Sequence, residues 1–311
     1  MKHPIFIVLL KLTVYSVLVL ASIAALTWLV IPNNEDAYQA ATPDKLKMAA
    51  STPSPKVMLV GGSNLAFSID SELMESELGM PVINMGLAKA TGFRYLLEES
   101  RPFVKEGDLV IIAAEYELFY DLFDGSESLV IMLQHTPGQF KAITSLAEVQ
   151  TIARYFTLMM QMKVSGYLRK GLVDDPVYRR SGINAHGDLT THLDLEEQYE
   201  PRELFPDGKP FQEEAIKILN RLAADVDRKG GSVVLTYPSL HDEFLERYRG
   251  RIDSLDGRLR ADLDMEVISD PDDYQFPREM LFDTPYHLRR EGREIRTRQL
   301  VDDVRVYLER E

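Results

Sequence analysis

The chain contains no cysteine, a single tryptophan and only six histidines among 311 residues. Without a thiol there is no cysteine nucleophile, no thiolate metal ligand and no disulfide, so the compartment has to be read from something other than redox chemistry. Positive charge is also scarce: 35 Lys and Arg stand against 49 Asp and Glu, a formal net charge of −14. Binding to a phosphate backbone needs clustered cations, and this balance excludes nucleic acid as a partner. His135, His192 and His241 are scattered without i, i+4 spacing, which gives no support for a metal, and no motif calls for a cofactor. Internal repeats and low-complexity tracts are absent.

Long apolar runs are missing too, with one exception. Residues 12–31 hold twenty positions without a charge, the length that crosses a hydrocarbon core at about 1.5 Å per residue. Lys2 and Lys11 precede this run and Glu35 and Asp36 follow it, so the positive-inside bias places the N-terminus in the cytoplasm and the remainder in the periplasm or outside the cell. Trp28 suits the far interface. The run exceeds the apolar region of a cleaved signal, about 7–15 residues, and no small-x-small site follows Ile31. The expectation is a single-pass anchor over residues 1–32; a cleaved signal would deliver the domain to the same compartment. Residues 33–55, polar and rich in Ala, Ser, Thr and Pro, read as a linker between bilayer and domain.

Residues 56–311 read as one α/β domain. Short apolar runs at 56–60, 81–85, 109–114, 232–237 and 265–268 have the length of buried strands. Helical periodicity occupies 211–229, 241–263 and 289–308, and 92–104 has the mixed polarity of a covering helix. Strands alternating with helices imply a parallel sheet. Residues 117–210 break the alternation and read as an insertion over the sheet, with a helical stretch at 146–168 and a loop-like segment at 174–200.

Ligands of open α/β sheets bind where strands end. The first strand delivers Gly61-Gly62-Ser63-Asn64, a hydroxyl at a helix mouth where free N–H groups favour a developing anion. Ser63 is a candidate nucleophile; an N-cap serine or a phosphate loop has the same local look. The second strand delivers Asn84-Met85-Gly86, whose glycine offers either an oxyanion N–H or a plain turn. Near the C-terminus, Asp283 and His287 stand just before the last helix. A histidine oriented by a nearby acid can take the proton of a serine hydroxyl.

In order and in position relative to the strands, the Ser63 block, Gly86 and the Asp283–His287 block resemble the SGNH (GDSL-like) hydrolase superfamily, over about residues 56–308. The resemblance implies a three-layer α/β/α, flavodoxin-like fold with Ser63 as nucleophile, His287 as base and Asp283 as its orienting acid. The N–H groups of Ser63 and Gly86 become oxyanion donors. Within that superfamily, GGSNLAFSID and DTPYHLRREGREIRTRQL look most like membrane-anchored SGNH-like proteins associated with bacterial surface-polysaccharide acetylation, which often work beside a membrane-bound O-acyltransferase. The implied reaction moves an acetyl ester onto or off a sugar hydroxyl through an acyl-serine. Three departures stand out. The usual Gly-Asp-Ser is Gly61-Gly62-Ser63; the Asp-to-His spacing is one residue longer; and the strand at 109–114 leads into Glu115-Tyr116-Glu117 instead of an asparagine. Asn64 is the candidate stand-in for that missing donor. An accessory subunit that keeps the fold but only binds glycan or the acyltransferase is the alternative, and a plain esterase is a third reading.

Other polar residues carry blander expectations. Glu115 and Glu117 read as solvated or helix-starting carboxylates. Residues 179–188 read as a surface loop or a lid over a glycan. Arg289, Arg290, Arg293, Arg296 and Arg298 read as a solvated face that would also attract an anionic polymer.

Overall fold

The computed structural model describes residues 4–168, 175–201, 203–205 and 208–310. Five strands form the central sheet: β1 Val57–Gly61, β2 Val82–Asn84, β3 Leu109–Ala113, β4 Ser232–Leu235 and β6 Glu266–Val267, in the order β2-β1-β3-β4-β6. Every pairing in it is parallel. β1 and β3 are apolar and buried along their whole length, as a parallel sheet covered by helices requires. Their register pairs Gly61 with Ala113, so the two strands end level and Ser63 and Glu115 emerge side by side. A second parallel pair joins β5 Leu240–His241 to β7 Gln275–Phe276.

The helices are α1 Pro4–Val30, α2 Thr42–Ser51, α3 Ser63–Ser68, α4 Ser71–Leu78, α5 Phe93–Ser100, α6 Glu127–His135, α7 Leu146–Leu168, α8 Glu213–Asp227, α9 Asp242–Arg247, α10 Arg249–Asp262 and α11 Arg290–Leu308. α8 shows how local sequence sets an element. Glu213 and Glu214 favour its N-terminal dipole, an apolar stripe from Ala215 to Val226 is buried, and Gly230 follows at φ 75°. Between β3 and β4 no strand of either sheet occurs among the described residues, and α6 and α7 fill much of that stretch.

α1 is long and apolar enough to cross a membrane: Ile5–Val30 has a mean hydropathy of 2.3, and none of its most apolar window is buried against protein. Lys2 lies outside the described residues, as does Asp174 at the start of the expected loop.

Residues 33–55 depart from the expected linker. A short 3-10 turn, Tyr38–Ala41, leads directly into α2, and Tyr38, Ala40, Ala41, Thr42, Lys45 and Ala49 are buried. Lys45 Nζ donates to the carbonyls of Asn84 (2.7 Å) and Gly187 (2.6 Å). The segment packs despite its polar composition because Tyr38, Ala40, Ala41 and Ala49 are turned onto the domain.

The basic face of α11 also divides. Arg290 and Arg298 are exposed and paired with Asp194 and with Glu77 and Glu294, whereas Arg293 and Arg296 are buried. They share the stripe of Leu300 and Val304, so helical phase turns them inward whatever their charge.

Candidate active site

β1 ends in Gly61 and Gly62, and both must lack a side chain for reasons of space. A Cβ on Gly61 would lie 2.1 Å from the Ala113 carbonyl oxygen, and one on Gly62 would lie 2.3 and 2.4 Å from the two Glu115 carboxylate oxygens. The tight passage sets Ser63 as the first residue of α3, with its side chain nearly enclosed.

Ser63 Oγ stands 2.9 Å from His287 Nε2, and His287 Nδ1 stands 2.7 Å from Asp283 Oδ1. A carboxylate only accepts, so Nδ1 carries the ring proton and the Nε2 lone pair faces the serine hydroxyl. The structure therefore brings together the three residues that the sequence singles out. The longer spacing from Asp283 to His287 is absorbed by a loop pinched shut by the Leu281–Leu288 bridge and by the Phe282 N–H donating to the His287 carbonyl at 2.8 Å.

α3 fixes both ends of this relay. Phe67, one turn after Ser63, stacks on the His287 ring with centroids 3.8 Å apart and planes 9° from parallel. Ser68 Oγ donates to the Tyr286 carbonyl (2.8 Å) and accepts from the Leu288 N–H (2.9 Å). One six-residue helix thus carries the hydroxyl, the face against which the imidazole rests, and the clasp on its loop. Tyr178 donates its hydroxyl to Asp283 Oδ2 and lies 3.3 Å from His287 Nδ1, holding the acid from the opposite side. His192 lies against Phe67 with centroids 4.6 Å apart and planes tilted by 44°, and its Nε2 stands 3.0 Å from the Leu288 carbonyl. Burial pushes its pKa down to about 3, so it is neutral and Nε2–H is the donor.

The expected oxyanion donors fare differently. The Gly86 N–H is held by Asn84 Oδ1 at 2.9 Å. Asn64 Nδ2 donates to the Ala113 carbonyl at 2.9 Å, Asn64 Oδ1 accepts from Arg296 at 2.9 Å, and its own N–H donates to Glu115 at 3.0 Å. Asn64 is a strut inside the fold, not a donor facing substrate, and Gly86 is already engaged. The Ser63 N–H at the mouth of α3 keeps no such partner among the described residues.

Glu115 and Glu117 do stand at the start of a 3-10 turn, Tyr116–Phe119, but neither is solvated. Glu115 is fully buried beneath the Gly62 turn, and Glu117 accepts from Tyr286 and pairs with Lys89, whose Nζ lies 4.9 Å over the Tyr286 ring. Asp188, from the supposed surface loop, is fully buried and accepts from Ser71, Asn84 and Arg293. These carboxylates left no trace in local sequence because their partners lie far along the chain. Phe67 had a detectable signal, since the fourth position after Ser63 returns to its side of a helix; Ser68 and Tyr178 had none.

Among the described residues no three His, Asp or Glu side chains cluster so as to hold a metal ion. An open groove of about 730 Å³ lined by His241, Asp242, Arg249 and Arg278, among others, lies apart from Ser63 and His287. No protein-family model and no curated protein matches this chain, so what the site does follows from its own geometry.

Proposed function

We propose that the chain is a membrane-anchored serine esterase or O-acetyltransferase of the SGNH type, its helices and sheet arranged as a three-layer α/β/α sandwich on the extracytoplasmic side. The observation that carries the reading is the continuous relay Ser63–His287–Asp283, with both contacts at hydrogen-bond length. His287 Nε2 takes the Ser63 proton as Oγ attacks an ester carbonyl, and the Ser63 N–H meets the oxyanion. His287 then returns the proton to the leaving alcohol. A water or a sugar hydroxyl, activated the same way, releases the acetyl group from the acyl-serine. Asp283 and Tyr178 hold the ring's orientation throughout.

The acyl source fits a donor delivered at the membrane, such as a membrane-bound O-acyltransferase, with a surface polysaccharide as acceptor. From Ile31 at the end of α1 to Tyr38 the connection reaches at most about 25 Å fully extended, and Tyr38 packs edge-on against Tyr178 with centroids 5.5 Å apart. The relay is thereby tied close to the span.

A second reading has its own support: Gly86 and Asn64 are committed elsewhere, and loss of an oxyanion donor costs about 10²–10³ in rate. A non-catalytic subunit that binds glycan or the acyltransferase fits that sparse hole. The test is hydrolysis of p-nitrophenyl acetate by the full-length protein in detergent, with Ser63→Ala and His287→Ala alongside, and mass spectrometry of the Ser63 peptide. Turnover and an acetyl adduct that both vanish in the two variants support the enzyme. A wild type without either, or turnover indifferent to both changes, supports the binding subunit.

A further inference from the structure

α7 exposes more apolar surface than a helix facing water normally carries. Its first turns are docked: Glu148 accepts from the N–H groups of Thr144 (2.8 Å) and Ser145 (2.9 Å), and Ile152 packs on the cluster of Tyr95, Leu129, Met132 and Leu133. Its second half leaves that cluster and meets the end of α1. Phe156 stacks on Trp28 at 6.3 Å, and Lys163 Nζ donates to the Trp28 carbonyl at 3.0 Å while lying 5.7 Å from its ring. Those two contacts bound about 10 Å of helix, and Leu158 (42 % exposed) and Met162 (41 %) stand between them, at the level of Trp28. Tyr167 (61 %) and Leu168 (73 %) follow.

Scattered exposed apolar residues need no explanation, but Leu158 and Met162 stand one turn apart on one side of α7 and adjoin the end of a helix long enough to span a bilayer. Charge points the same way. Residues 149–168 contain no Asp or Glu, in a chain with 49 of them, and carry only Arg154 and Lys163. Lys163 turns its charge onto Trp28, and beyond the exposed Arg154 the outward face carries Thr157, Leu158, Gln161, Met162, Ser165 and Leu168. Such a face avoids repulsion from anionic headgroups and offers apolar side chains to the acyl boundary.

We propose that residues 156–168 of α7 lie in the lipid interface beside the end of α1, a second membrane contact that fixes the domain's attitude to the bilayer. The occupant is lipid because the depth is set by Trp28: whatever touches this face at that level lies where the span leaves the hydrocarbon. Two contacts, one crossing and one in plane, hold the domain in one attitude to the bilayer. This proposal does not rest on the chemistry of Ser63.

The absence of cysteine makes the test direct. Leu158→Cys and Met162→Cys, with Ser254→Cys on the exposed side of α10 as reference, are labelled with a bimane fluorophore in the full-length chain. The labelled proteins are reconstituted in vesicles of phosphatidylcholine and phosphatidylglycerol. Brominated acyl chains should remove most of the fluorescence at 158 and 162 and iodide little; at 254 the order reverses. Trp28, the sole tryptophan, reports in the unlabelled protein whether α1 is in the bilayer. Labels at 158 and 162 that behave like 254 would overturn the proposal. So would shielding from both quenchers, which would mean that protein covers the face, or a Trp28 indifferent to brominated lipid. Hydrolysis of p-nitrophenyl acetate in the same samples reads the Ser63 reaction separately.

Discussion

At the residue scale, four groups meet the imidazole of His287: Ser63 at Nε2, Asp283 and the Tyr178 hydroxyl at Nδ1, and Phe67 against its face. Removing the carboxylate while keeping its shape, with Asp283→Asn, frees the ring to take the wrong tautomer; we expect kcat/KM for the activated ester to fall by about 10²–10⁴. Tyr178→Phe removes one of two restraints and should cost about tenfold. A reversed order of the two effects, measured under subsaturating ester, would mean that Asp283 is not the orienting acid. His192 supplies a pH signature. Its folded pKa of about 3 lies below the ordinary 6.5, so the unfolded chain binds its proton first. Its stabilising contribution is complete above pH 6.5 and is lost as pH falls towards 3, by up to about 4–5 kcal/mol. His192→Phe should start less stable at pH 7.5, for want of the bond to Leu288, but lose less on acidification. Denaturant midpoints at pH 7.5 and 5 check this, and parallel slopes in the two proteins would refute it. Ser63, Asp283 and His287 were legible because each sits next to a strand end or helix start that its own neighbours announce. Tyr178 was not, because its partner Asp283 lies 105 positions away.

At the scale of elements, α11 does more than close the fold. Arg296 Nη1 donates to the Asn64 carbonyl (2.8 Å) and Nη2 to Asn64 Oδ1 (2.9 Å), so the last helix grips the residue beside Ser63. Burial pushes its pKa down to about 10, still charged at neutral pH. Arg296→Met fills much of the space but leaves Asn64's acceptors and the buried Glu115 without that cation; the expected loss is about 3–5 kcal/mol. Arg298→Ala, on the exposed face, should change stability by less than about 1 kcal/mol. Equilibrium unfolding of both variants decides, and equal losses would mean that the two arginines are alike. The sequence offered the distinction in a form that composition obscures. Counting charges made one solvated cluster of five arginines, whereas spacing puts Arg293 and Arg296 on the stripe of Leu300 and Val304. The strands were legible for the converse reason: 109–114 has no polar residue to hide its burial. The buried roles of Glu115 and Asp188 depend on register between distant segments, which no local pattern encodes.

At the scale of the whole molecule, the boundary between α1 and the domain is set earlier than composition suggests. Polar linkers are recognised by what they lack, and residues 33–55 lack a continuous apolar run. Packing needs only one face, and here Tyr38, Ala41, Lys45 and Ala49 supply it. The segment also supports the site from behind. Tyr38 donates to the Leu87 carbonyl (3.2 Å) and Lys45 to that of Asn84 (2.7 Å), whose side chain in turn holds Gly86. Lys45 is buried with its pKa pushed down to about 7 by desolvation, so the carbonyls of Asn84 and Gly187 satisfy a group that is only half charged at neutral pH. Two truncations separate a tether from a structural part. A chain beginning at Asn33 keeps this packing and should retain the unfolding temperature and ester turnover of the full-length protein. A chain beginning at Ser51 exposes the surface under Tyr38 and Ala49 and leaves those carbonyls without their donors. On the burial of one aromatic and several smaller side chains it should lose on the order of 5 kcal/mol, which is about 10–20 °C for a domain of this size. Its relay should loosen as well, so turnover per folded molecule falls below that of the longer form. Matching melting temperatures and turnover in the two truncations would return residues 33–50 to the role of a simple tether.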